Sequence, residues 1–206
     1  MENQPSQLAQ PRTDTGVGHE RRAQIVDYAA SLFDAEGYWQ ASMEQLAEAV
    51  GIAKPTLYHY FAGKDEILFR IHQEFIVDLI RRQEDPARRS MTPLDQLRAI
   101  MRDVLYLMEH KRGHVRVFFE HWRDLSETDR DVVMKQRDHY QMLVEQVIDE
   151  GMAEGSLRSL DIRLVTLGMF GMCNWAYQWY RADRRLSSAA VADFMFELLL
   201  EGLRAR

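Results

Sequence analysis

Eight consecutive residues, Lys54-Pro55-Thr56-Leu57-Tyr58-His59-Tyr60-Phe61, carry an ammonium, three hydroxyls and an imidazole around two large apolar side chains. Proline at the second position suits the first turn of a helix. At 100° per residue Leu57 and Phe61 share one face, Pro55, Thr56 and His59 lie opposite, and Lys54, Tyr58 and Tyr60 fall on the flanks. Threonine and histidine can hydrogen-bond base edges, and the threonine methyl can touch a thymine methyl. Lysine and tyrosine can hold phosphates and fix register. Groups of these types at this spacing are suited to recognition of nucleic acid, against the plainer reading of a solvated surface.

The elements around it would position such a helix. Ser42 is a favoured N-cap residue, with Gln45 three places on as its capping-box partner. The helix they open turns Leu46, Ala49 and Val50 inward and stops at Gly51, in the position of a left-handed C-cap. Two short helices joined by that turn form a helix-turn-helix layout, in which the second helix enters the DNA major groove. A helix over 19–36 precedes them, with Ile25, Ala29, Leu32 and Phe33 on one face. A long one over 64–84 follows, opened by Lys64, whose ammonium and neighbouring free N–H groups could grip a phosphate. Arg21, Ser42, Lys54, Pro55, Thr56, Tyr58, His59 and Lys64 are the candidate DNA-facing set.

The stretch from Ser42 to Leu68 resembles the DNA-binding signature of the tetracycline-repressor (TetR) family of bacterial regulators. The shared features are the capped second helix, Ala-Val-Gly-Ile at the turn, Thr-Leu-Tyr-His-Tyr-Phe, and Gly-Lys-Asp-Glu-Ile-Leu after it. The resemblance extends back over 19–33. Tyr60 departs from it, since the family more often has histidine there. The resemblance implies an all-α protein with a three-helix DNA-binding domain over 19–66, its signature at 42–61, and a ligand-binding and dimerisation bundle over 67–206; residues 1–18, rich in Gln, Pro, Thr and Gly, read as a mobile arm.

Composition agrees in part. The chain has 206 residues, with 11 Gly and 5 Pro, too few turn residues for a strand-rich fold. Its one cysteine excludes an internal disulfide and a cysteine-based zinc site. Residues 1–18 lack the apolar core of a secretory signal, and no run reaches the ~20 apolar residues of a membrane span. A cytoplasmic location and no membrane partner are expected. The net charge of −6 opposes nucleic-acid binding. Residues 1–64 hold five basic against eight acidic groups, so the cations must converge on one face, and few phosphate contacts imply a shallow salt dependence.

The remainder reads as helices over 93–110, 114–122, 128–151, 161–180 and 187–202, with 85–92 a loop. It offers no catalytic constellation and calls for no cofactor or metal. His110 and His114 are four apart, but Gly113 breaks the spacing, so both read as surface histidines. Cys173 reads as an inert buried thiol. The run 164–181 is apolar nearly all round and must be buried on several sides. Gly168 and Gly171 serve either close helix approach or ligand space. Phe118, Trp122, Tyr140, Phe170, Asn174, Trp175, Gln178 and Arg181 are candidate effector contacts, the polar ones orienting the ligand. The last helix has Val191, Phe194, Met195, Leu198 and Leu199 on one side and Phe196, Leu200 and Leu203 on another, which implies a partner subunit. The run 174–181 also resembles the TetR branch that senses acyl-coenzyme A.

These readings converge on a homodimeric repressor that leaves a palindromic operator when a small hydrophobic effector, in the favoured case an acyl-CoA thioester, enters the C-terminal bundle. Two rivals stand beside it. One is an all-α enzyme acting on hydrophobic thioesters, with Glu120, His121 or Asp124 as base. The other is a helical binding module with a degenerate DNA head.

Overall fold

The protein is seen in a computed structural model that describes residues 16–182 and 185–203. Most of the arm expected over 1–18 lies outside the described residues, while 16–18 begin the first helix. That helix, α1 (Gly16–Glu36), is followed by α2 (Met43–Val50), α3 (Lys54–Tyr60) and the 20-residue α4 (Lys64–Gln83). Then come α5 (Pro86–Arg89), α6 (Pro93–His110), α7 (Arg112–Glu120), a 3-10 turn at Trp122–Asp124, α8 (Glu127–Ala153), α9 (Ile162–Trp179) and α10 (Ser188–Leu203). No strand occurs among the described residues, and none of the described helices is long and apolar enough to cross a membrane.

The 85–92 segment is not wholly a loop. Asp85 caps one turn of helix by accepting from the Ala87 N–H at 2.9 Å, and Arg88 reaches the carboxylate of Asp103 on α6. The break expected at Gly113 falls at Lys111, and Gly113 lies within α7.

The N-terminal head is α1 to α3 packed on the start of α4. Ile25, Val26, Ala29, Phe33, Leu46, Leu57, Phe61 and Ile67 fill its core. From there α4 carries Ile71, Phe75, Ile76 and Leu79 into the C-terminal bundle, against α7 and α8. Helix α7 packs across α1, where Arg116 pairs with Asp34 at 2.6 Å and Lys111 with Asp27 at 2.5 Å. His114, read from sequence as a surface residue, is buried at this junction with Nε2 3.3 Å from Asp27. Two helices, α4 and α7, therefore join the head to the bundle.

Helix α10 packs on α6 with Val191, Phe196, Leu200 and Leu203 buried. Val191 thus belongs to the inner side rather than with Phe194 and Leu198, which are 71% and 60% exposed. Leu164, Leu167, Trp175 and Trp179 of α9 are exposed as well.

Candidate nucleic-acid interface and ligand cavity

The recognition segment is built by local chemistry. Ser42 Oγ accepts from the Gln45 N–H at 3.2 Å, and Gln45 Oε1 accepts from the Ser42 N–H at 2.8 Å, closing the capping box of α2. Gly51 ends α2 with φ 70° and ψ 38°, a left-handed conformation that a Cβ would disfavour. Its N–H caps the helix on the carbonyls of Ala47 and Glu48. Helix α3 follows after two residues, with Pro55 in its first turn.

Leu57 is 0% and Phe61 2% exposed, so both clamp α3 from behind. Burying a side chain of this size contributes about 1.5–3 kcal/mol. Lys54, Pro55, Thr56, Tyr58 and His59 are exposed, and Tyr60 is half-buried with its ring edge-on to His59. The outward face thus carries a hydroxyl, an imidazole and a phenol on a helix that cannot roll without exposing Leu57 and Phe61.

The cations around it are less available than their positions in sequence imply. Lys54 Nζ lies 3.4 Å from Glu44. Arg21 donates to the Val50 carbonyl at 3.2 Å and to Gln24 Oε1 at 2.9 Å, which ties α1 to the end of α2. Lys64 differs most from expectation. Its ammonium donates to the carbonyls of Tyr38 at 2.6 Å, Ala41 at 2.9 Å and Trp39 at 3.4 Å. An ammonium has three N–H donors, and all three are engaged. The phosphate grip foreseen for Lys64 is not what the structure builds; the side chain fixes the loop between α1 and α2. Tyr38 strengthens the same joint by donating to Asp65 in the first turn of α4, and its ring lies 5.8 Å from that of His121 at the end of α7.

A cavity of about 620 Å³ lies between α4, α7, α8 and α9, within the range of small-molecule sites. Phe118, Trp122, Tyr140, Phe170 and Asn174, five of the eight foreseen effector contacts, line it. Phe75, Ile76 and Leu79 from α4 and Phe119 from α7 complete the wall next to the head. Tyr140 and Phe170 stack at 5.7 Å, and burial holds the Tyr140 phenol in its neutral form, well above the usual range. Gly171 also lines the cavity, and a Cβ there would meet nothing within 4 Å, as at Gly168.

The other three foreseen contacts lie elsewhere. Trp175 is 64% exposed, about 100° round α9 from Asn174. Gln178 is exposed one turn past Asn174, the last α9 residue of the wall. Arg181 donates to the carbonyls of Tyr180 at 3.0 Å and Gln178 at 3.4 Å, beside a separate hollow shared with Trp179 and Arg185. Sequence reading missed Arg137 of α8, which lines the cavity with its guanidinium 5.2 Å from the Phe118 ring centre. Cys173 is buried among apolar groups, and its thiol is pushed up to about 12. Glu120 pairs with Arg116 at 3.2 Å and His121 Nδ1 with Asp124 at 2.8 Å, so each group offered as a catalytic base is already engaged by a neighbour.

A polar helix turned outward from a buried Leu57–Phe61 clamp, after a capped helix and a left-handed turn, defines an all-α helix-turn-helix DNA-binding protein. The family model for bacterial regulatory proteins of the tetR family matches residues 25–71, and that for the tetracyclin repressor-like C-terminal domain matches residues 90–203. The chain belongs to the TetR family of transcriptional regulators. It is 26% identical over 191 residues to the HTH-type transcriptional repressor KstR2 of Mycobacterium tuberculosis, covering 91% of this chain and 95% of that one. Among solved structures it is similar to the TetR-family regulator PfmR of Thermus thermophilus, with TM-score 0.81 and 28% identity over 86% of this chain and 97% of that one. It is similar also to AibR in complex with isovaleryl coenzyme A and operator DNA, with TM-score 0.76 and 27% identity over 87% and 98% of the two chains.

Proposed function

We propose that the protein is a homodimeric repressor that leaves a palindromic operator when a small hydrophobic effector, best matched by an acyl-CoA thioester, occupies the cavity between α4, α7, α8 and α9. Its place is the cytoplasm, with the DNA. Thr56 and His59 read base edges, while Pro55 and Tyr58 lie along the groove and Lys54 and Ser42 meet the backbone. Arg21 and Lys64 hold the shape that presents them. The exposed faces of α9 and α10, with Leu164, Trp175, Phe194 and Leu198, pack against the second subunit, so that two α3 helices face two half-sites.

One observation carries the regulatory part. The cavity wall is made from α4 and α7, the two helices that join the head to the bundle. A ligand between Phe75, Leu79 and Phe119 shifts those helices and with them the spacing of the heads. The ligand drives release only by as much as it prefers the released form. Repressor action and a thioester effector are supported by the similarity to KstR2 and to AibR.

The test is operator binding followed by fluorescence anisotropy while acyl-CoA thioesters, free coenzyme A and free acids are added, with the melting temperature read in parallel. An effector raises the melting temperature and releases the DNA. A protein that holds its operator unchanged, with no shift from any thioester, contradicts the reading.

A further inference from the structure

Among the described residues Arg137 is the one arginine or lysine in the wall of the cavity, where it is half-buried. Arg82, Arg88, Arg102 and Arg116 each have a carboxylate within ion-pair distance. Among the described residues the Arg137 guanidinium has no such partner and makes no hydrogen bond; its neighbour is the face of Phe118. Asp138 also lines the cavity and its charge favours the ionised guanidinium, but as the next residue on the helix it points about 100° away and forms no ion pair with Arg137. Burial holds the Arg137 side chain below the usual arginine range, a sign of poor solvation. A cation set in an apolar wall is costly unless something answers it. Tyr140 and Asn174 line the same cavity, and their side chains make no hydrogen bond among the described residues.

We infer that Arg137 is the specificity-determining residue of this cavity, and that the ligand it selects is an apolar skeleton bearing a carboxylate, which pairs with the guanidinium inside. This rests on the reading of the cavity as the effector site. One guanidinium matches one carboxylate in charge and in planar, two-pronged geometry. A doubly charged phosphate would need a second cation, and no other arginine or lysine lines the cavity among the described residues. The Phe75, Leu79 and Phe170 walls take the hydrocarbon, and Tyr140 and Asn174 are placed to bond a further oxygen. The carboxylate has two sources: a free acid, or a thioester whose acyl chain ends in a second carboxylate.

The experiment is calorimetric titration of the wild-type protein, Arg137→Met and Arg137→Lys with octanol, octanoic acid, octanoyl-CoA and octanedioyl-CoA. The wild type should prefer the carboxylate-bearing member of one pair by about tenfold or more, as a charge-assisted bond in a poorly solvated site requires. Preference for octanoic acid over octanol identifies the free acid, and preference for octanedioyl-CoA over octanoyl-CoA identifies the thioester. Arg137→Met should abolish the preference while keeping affinity for the partner without the carboxylate, and Arg137→Lys should restore part of it. Octanoyl-CoA bound as well as octanedioyl-CoA, and octanol as well as octanoic acid, overturns the assignment and leaves the cavity as the effector site. A preference that survives Arg137→Met also overturns it. Failure of every probe to bind the wild type overturns both readings.

Discussion

Gly113 of α7 lies directly on the backbone of Ala30 in α1: a Cβ at position 113 would stand 2.8 Å from the Ala30 carbonyl oxygen. The opposing atom belongs to a helix main chain and cannot turn aside, so the absence of a side chain sets how closely the two helices approach. The ion pairs of Arg116 with Asp34 and Lys111 with Asp27 flank this contact. Gly113→Ala should therefore push α7 off α1 and cost about 1–3 kcal/mol of stability, as overpacking does. Because the same helix carries Phe118 and Phe119, the variant should also need a different effector concentration for half-release. Urea unfolding and operator titration check the two effects separately.

Lys64 gives a prediction that separates positioning from phosphate contact. Its three carbonyl bonds make it a clamp, so Lys64→Met should lower stability by about 1–3 kcal/mol and weaken binding to all duplexes alike. The slope of affinity against salt should stay as in the wild type. A slope smaller by about one per subunit would mean that the ammonium neutralises a phosphate.

Much of the head was legible because its signals are local. The Ser42–Gln45 box, Gly51 at the turn and the four-residue spacing of Leu57 and Phe61 each lie within one or two turns of chain. The role of Lys64 was not legible, since its partners lie up to 26 residues away and are main-chain carbonyls that leave no mark in sequence. Arg137 was hidden for a related reason. On α8 alone it reads as a solvated cation, and only the convergence of α4, α7 and α9 gives it a cavity to line. The apolar pattern of α10 has two sides and does not tell which one faces outward, so it groups Val191 with Phe194 although Val191 packs inward. The one-turn α5 depends on Arg88 meeting Asp103, a tertiary contact.

Two buried histidines predict an acid-side loss of stability. Burial draws His72 and His114 down to about 4, and His72 Nδ1 donates to the Leu68 carbonyl at 2.9 Å. Unfolded histidine titrates near 6.5. Above that value both states are neutral and the contribution is intact. As pH falls from about 6.5 toward 4 the unfolded chain takes up protons that the folded chain refuses, so stability declines through that window. Urea midpoints between pH 7 and 4 should fall accordingly, and His72→Leu should flatten the decline. A midpoint independent of pH across the window would contradict the burial of these rings.

The exposed apolar face of α9 and α10 predicts an assembly defect. Leu198→Glu combined with Phe194→Glu should leave the subunit folded, since both side chains point outward, and should convert dimer to monomer in sedimentation. Operator affinity should then fall by about two orders of magnitude or more, because the second half-site is no longer bound by a linked head. Dimers that persist in this variant would place the interface elsewhere.

Sequence reading by Thr56 and His59 of α3 is tested most directly on an operator selected from random duplexes by the protein itself. Affinities of the wild type, Thr56→Ala and His59→Ala are measured by anisotropy for every single base-pair change in one half-site. Each variant should lose about 1–3 kcal/mol of discrimination at one or two base pairs and little elsewhere. Unchanged discrimination at every position, or equal weakening on all duplexes, would contradict base readout by this helix.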